Sequence, residues 1–130
     1  MNKVLRAKEF AKMAHTGQKR HITGEDYYLH CLRVFNILKA QGEREEVLIA
    51  ALLHDVIEDT RYCWVDVADN FGGEVADLVF ECTKPYIKLQ SKDALKIKFA
   101  DMLDNVSDAP TDAWVARKVE AIKGSSGGNI

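Results

Sequence analysis

The chain has 130 residues, 47% of them hydrophobic and 29% charged, which is material for one globular core and not for two. A formal net charge of −2 argues against a surface built for nucleic acid, although a local cluster of cations can still take a small anion. Three cysteines (Cys31, Cys63, Cys82) are odd in number and follow no C-x-x-C spacing, so neither a disulfide framework nor a cysteine zinc site is expected. No apolar run approaches the roughly 18–20 residues of a membrane span, and MNKVLRAKEFAK lacks the apolar stretch of a signal peptide. The expectation is a cytoplasmic protein in a reducing setting, with neither membrane nor nucleic acid as partner.

Taken in chain order, the apolar spacing is helical almost throughout. Val4, Leu5, Ala7, Phe10, Ala11 and Ala14 recur at helical intervals and predict a first amphipathic helix that ends near Gly17. The polar stretch QKRHITGED (18–26) reads as a loop, and Asp26 as the N-cap of a second helix over 27–39, stopped by Gly42. A third helix runs from 45 to about 59. Its core, VLIAALLHDVI, is apolar on nearly every side, as a central helix must be. Shorter helices follow over 64–70 and 74–82, separated by Gly72-Gly73. After Thr83-Lys84-Pro85 the chain loops, Ser91 caps a helix to about Val106, Pro110 breaks it, and a last helix covers 111–122. No alternating run is long enough for a sheet. The fold class is all-α, a single-domain bundle of six or seven helices over residues 1–123, followed by a flexible Gly/Ser-rich tail, GSSGGNI (124–130).

His54-Asp55 is the anomaly in this pattern. A carboxylate inside the most apolar helix must be partnered or neutralised, and a divalent cation would satisfy both residues at once. A purely structural His-Asp pair, hydrogen-bonded to neighbouring helices, is the alternative for the dipeptide taken alone. Glu58 and Asp59 lie at i+3 and i+4 from Asp55 on one helical face, where three like charges call for a cation or for solvent. Asp101 in KIKFADMLDN is again a carboxylate among apolar neighbours, with Asn105 and Asp108 on the same stripe. Asp104 and Asp108 read as solvent-exposed. His30 interrupts the apolar run of the second helix, as a ligand or as a satisfied core histidine. His15 could cap the end of the first helix, and His21 sits in the polar loop. That loop also carries Lys19 and Arg20, a cationic pair suited to phosphate oxygens or to plain surface charge.

Five blocks occur in order: A-H-T-G-Q-K-R (14–20), G-E-D-Y-Y-L-H (24–30), A-L-L-H-D-V-I-E-D-T (51–60), N-F-G-G-E-V-A-D-L-V (70–79) and F-A-D-M-L-D-N (99–105). Together they resemble the hydrolase domain of the RelA/SpoT proteins and the stand-alone small alarmone hydrolases, within the HD superfamily, over residues of about 4 to 108. The resemblance implies an all-α HD-domain bundle with one divalent ion, Mn²⁺, held by His30, His54, Asp55 and Asp101. It implies water activation by Glu58 and Asp59, and a nucleotide pocket using Lys19, Arg20, Tyr27 and Asn105, with Thr23 as a weaker polar contact. The implied reaction is removal of pyrophosphate from the 3′ position of guanosine 3′,5′-bis(diphosphate), ppGpp, leaving GDP. Two His and two Asp also suit Fe²⁺, Co²⁺ or Zn²⁺.

The chain departs from the family pattern at identifiable places. Prolines are replaced by Asp26 and Cys31, and A-D-R-L-x-N-x-R-[ST] becomes A-D-M-L-D-N-V-S-D, with Met102, Ser107 and Asp108 at positions that are cationic or hydroxylated in the family. The stretch between Thr83 and Phe99 is short, and the last helix is abbreviated. Fewer cations and an added carboxylate weaken the hold on so anionic a ligand. Two rivals to ppGpp hydrolysis follow: the same centre acting on another nucleotide or phosphomonoester, and a catalytically silent binding module. The six retained His, Asp and Glu side chains speak against the silent module.

Overall fold

The computed structural model describes residues 2–21, 23–83 and 91–107. These contain seven helical segments: α1 (Lys3–Ala14), α2 (Tyr27–Ala40), α3 (Glu45–Leu52), α4 (Val56–Asp59), α5 (Trp64–Phe71), α6 (Gly73–Glu81) and α7 (Lys92–Ser107). No strand occurs among the described residues, and the only β-type pairing there is an isolated antiparallel bridge between Lys19 and Asp26. The all-α expectation holds. The helix expected over 111–122, the tail and Asp108 lie outside the described residues.

Local chemistry sets the helix ends. The Asn2 side chain accepts from Leu5 N (2.7 Å), starting α1, and Ala7 and Ala11 let that helix lie close against the core. Asp26 does stand at the N-cap of α2, but its carboxylate makes no capping hydrogen bond and pairs with Lys19 instead. The end of α2 is a Schellman turn. Gly42 N donates to Lys39 O and Glu43 N to Leu38 O, with Gly42 at φ +77, a region that favours glycine. At the start of α7, Ser91 Oγ accepts from Ala94 N (3.0 Å) while donating to Glu81 Oε1 (3.1 Å).

The core is built on α3, which packs against α1, α2, α6 and α7. Phe35 and Leu38 of α2, Ile49 and Leu52 of α3, Leu53 just after α3, and Ile97 of α7 are almost wholly buried within it. Burial of this order, about 1.5–3 kcal/mol per large apolar side chain, is what holds short helices together.

One expectation is corrected. The helix expected over 45–59 is two helices, broken at Leu53, His54 and Asp55. The reason is local: His54 Nδ1–H donates to Ala51 O (2.7 Å), the carbonyl that Asp55 N–H would take in an uninterrupted helix. Val56 N then reaches back only to Leu53 O (2.9 Å), a tightened turn, before α4 begins. His54 and Asp55 therefore project from a corner in the chain. A straight helix would send neighbouring residues about 100° apart.

Candidate metal centre

Three pieces of chain meet at this corner. His30 comes from the first turn of α2, His54 and Asp55 from the turn between α3 and α4, and Asp101 from the middle of α7. Their ligand atoms all lie within 4.8 Å of one another. His30 Nε2 is 2.8 Å from Asp101 Oδ1 and 3.7 Å from Asp55 Oδ2. His54 Nε2 is 3.0 Å from Asp55 Oδ2 and 3.3 Å from Asp101 Oδ1. An ion with ligand distances of about 2.0–2.2 Å separates its ligands by roughly 3 to 4.4 Å, and these four contacts, at 2.8 to 3.7 Å, lie close to that range.

The donor set fits a divalent cation in a second way. Each histidine spends its Nδ1 on a protein acceptor, His54 on Ala51 O (2.7 Å) and His30 on Asp104 Oδ2 (2.7 Å), and turns Nε2 inward. Ligating imidazoles are oriented in this manner by their outer partners. Without a cation the cluster balances itself. Burial opposes charge on both histidines, but hydrogen bonds to Asp101 and Asp104 outweigh it at His30, and Asp55 and Asp101 outweigh it at His54, so both rise above the usual imidazole range. The same histidines overcome burial to hold Asp55 and Asp101 below the ordinary carboxylate range.

Around this centre the other predicted residues fall unevenly. Asn105 donates to Asp101 Oδ1 (3.4 Å) and accepts from Arg20 Nη1 (3.2 Å), so Arg20, Asn105 and Asp101 are brought together. Tyr27 lies between His15 and His30, ring centres 5.0 and 5.4 Å away, and its hydroxyl donates to Asp55 Oδ2 at 2.6 Å. Burial and that carboxylate push the phenol well above its usual range. Asp59 is reached by Gln18 Nε2 (3.3 Å), whose Oε1 accepts from His15 Nδ1 (2.8 Å), and it faces a groove of about 500 Å³ also lined by Thr16, Thr60, Arg61 and Tyr62. Desolvation and the charge of Asp55 push the Asp59 carboxyl upward. Glu58 is exposed on α4. Lys19 is exposed and paired with Asp26. Thr23 is exposed too, its Oγ1 accepting from Glu25 N (3.3 Å) in the loop turn. His15 is the C-cap of α1, as its position suggested, and His21 is exposed.

Asp104 is a correction. Expected at the surface, it is 4% exposed and lies against His30. Arg33 Nε donates to its Oδ1 (2.5 Å), and Arg33 in turn pairs with Glu25. A signal was present in the sequence: Asp104 continues the stripe of Ile97 and Ala100 that faces the core, and Arg33 is one turn beyond His30. Reading Asp104 only by its charge concealed the register.

The HD domain family model matches residues 7–114. The chain belongs to the HD domain family. It is 39% identical over 132 residues to the guanosine-3′,5′-bis(diphosphate) 3′-pyrophosphohydrolase of Aquifex aeolicus, covering 88% of this chain but only 18% of that protein. It is 32% identical to guanosine-3′,5′-bis(diphosphate) 3′-pyrophosphohydrolase MESH1 of Drosophila melanogaster, covering 95% of this chain and 87% of that one. A solved structure described as "A metazoan ortholog of SpoT hydrolyzes ppGpp and plays a role in starvation responses" superimposes with a TM-score of 0.80 at 31% identity, covering 96% of this chain and 88% of the other. No helix among the described residues is long and apolar enough to cross a membrane.

Proposed function

We propose that this chain is a metal-dependent phosphohydrolase that removes pyrophosphate from the 3′ position of guanosine 3′,5′-bis(diphosphate), giving GDP. The convergence of His30, His54, Asp55 and Asp101 within 4.8 Å carries this reading. The names of the similar proteins support the substrate, including a relative matched over most of both chains.

In this reading those four residues hold one divalent ion, Mn²⁺. When bound, such an ion acidifies water and neutralises charge on phosphate oxygens. The remaining work belongs to side chains. Asp59, with its raised proton affinity and its Gln18 hydrogen bond, is suited to orient the attacking water and accept its proton, with Glu58 beside it on α4. Water adds to phosphorus, the bond to the ribose 3′ oxygen breaks, and that oxygen leaves with a proton. Arg20 and Asn105 stand next to Asp101, where they can meet an anionic group of the nucleotide, with Lys19 and Thr23 further out on the same loop. Tyr27 acts through its hydroxyl on Asp55 as much as through its ring.

A second reading keeps the centre and changes the substrate. Asp104 adds a buried carboxylate 3.7 Å from Arg20 Nη2, and Lys19 is paired with Asp26, which favours a nucleotide or phosphomonoester less charged than ppGpp. The test is to incubate the Mn²⁺-loaded protein with ppGpp and a panel of nucleotides and resolve products by ion exchange. GDP and pyrophosphate, lost in His54→Ala and Asp101→Ala, are the expected result. Turnover of other nucleotides alone moves the assignment to the second reading. No turnover of any of them, with metal bound, makes the domain a silent module.

A further inference from the structure

A heavily bonded carboxylate near the centre, Asp104, lies outside the proposed set of four ligands. Asp104 Oδ2 sits 2.7 Å from His30 Nδ1, both side chains nearly wholly buried. Its Oδ1 takes Arg33 Nε at 2.5 Å, and Arg33 Nη2 reaches Oδ2 at 3.2 Å. The far edge of the same guanidinium is held by Glu25, just before α2, and Arg20 Nη2 stands 3.7 Å from Oδ2. The carboxylate is thus fixed from two directions by cations while it faces an imidazole.

We infer that Asp104 is a positioning residue for His30, with Arg33 and Glu25 locking the carboxylate that holds the imidazole Nδ1–H so that Nε2 is presented to the metal. This rests on the metal reading of the site proposed above. An ionised carboxylate has only acceptors to offer, so the hydrogen between it and His30 belongs to Nδ1, and the neutral ring then carries its lone pair on Nε2. Nε2 is the atom beside Asp101 and Asp55. His54 obtains the same orientation from a neutral backbone carbonyl. His30 has an anion for the purpose, which makes its ring the more electron-rich donor of the two. The lock also ties α2 to α7 behind the site, because Arg33 and His30 lie on one and Asp104 on the other.

A plain structural role, in which Asp104 merely neutralises Arg33, makes a different forecast. It lowers the stability of the metal-free fold and leaves the affinity of the folded protein for metal alone. The test is to titrate wild type, Asp104→Asn and Asp104→Ala with Zn²⁺ against a chelating indicator, after thermal melts show each variant folded. Zn²⁺ also permits nitrogen-15 spectra of the histidine rings. The expected result is a loss of affinity of about 10–100-fold in Asp104→Ala, with the protected His30 Nδ1–H resonance of the loaded wild type gone. Asp104→Asn, whose amide oxygen can still accept, retains the resonance with a smaller loss. Wild-type affinity in both variants, or an unchanged ring spectrum in Asp104→Ala, overturns the inference while leaving the metal centre standing. Failure of the wild type itself to bind the ion overturns the centre and the inference together.

Discussion

Tyr27 is tied to the cluster through its hydroxyl as well as its ring. The family resemblance implies a place for it in the nucleotide pocket, and in the structure its hydroxyl donates to Asp55 Oδ2 at 2.6 Å while its ring is flanked by His15 and His30. Tyr27→Phe separates the two roles. The ring survives and the donor is lost, so metal affinity falls and KM stays near the wild-type value. A raised KM with intact metal binding would return Tyr27 to the substrate. Hydrogen bonds to charged groups contribute about 1.5–3 kcal/mol, which sets the upper limit of the effect on stability, measured by urea unfolding. The four clustered residues were legible as candidates because an ionisable group flanked by apolar ones must have a partner. Asp104 was legible only in part: its place on the stripe of Ile97 and Ala100 signals burial, but nothing in its immediate neighbours announces that its partner is 74 positions upstream.

Helix ends and breaks decide where those side chains point. The boundaries of α2, α5 and α6 were readable to within a residue or two because Gly42 and Gly72 take positive φ where those helices stop or turn, whereas α1 ends at Ala14, ahead of the expected stop near Gly17. The division between α3 and α4 was not. Every residue of ALLHDVI tolerates a helix, and the break depends on the His54 side chain capturing the Ala51 carbonyl. For α7, which carries Asp101, Asp104 and Asn105, the start is held by Ser91. Ser91→Ala removes both its acceptance from Ala94 N and its link to Glu81. The expected loss is about 1 kcal/mol, seen as a lower urea midpoint with an unchanged slope. A change in slope would mean instead that the variant alters how compact the native or unfolded chain is.

At the scale of the molecule, the cluster joins α2, the α3–α4 corner and α7, segments that α3 packs together in the core. An ion held by residues so distant in sequence binds the folded chain and not the unfolded one. At about a hundredfold excess of free ion over Kd it should add about 2.7 kcal/mol, roughly 10 °C in Tm for a domain of this size, reversed by EDTA. A melt insensitive to both would count against the centre. The amino-acid sequence by itself determined the all-α class and the approximate places of the described helices. It also marked His30, His54, Asp55 and Asp101 as ionisable groups among apolar neighbours, because apolar period, glycine stops and misplaced charges are local properties, and the family resemblance joined those four into one set. Tertiary structure alone decided the convergence of His30, the His54-Asp55 corner and Asp101 in one space, the burial of Asp104 against His30, and the engagement of Arg20 by Asp104. Each of these depends on which groups the packing of separate chain segments leaves within hydrogen-bonding or ion-pair reach. No local pattern records that distance.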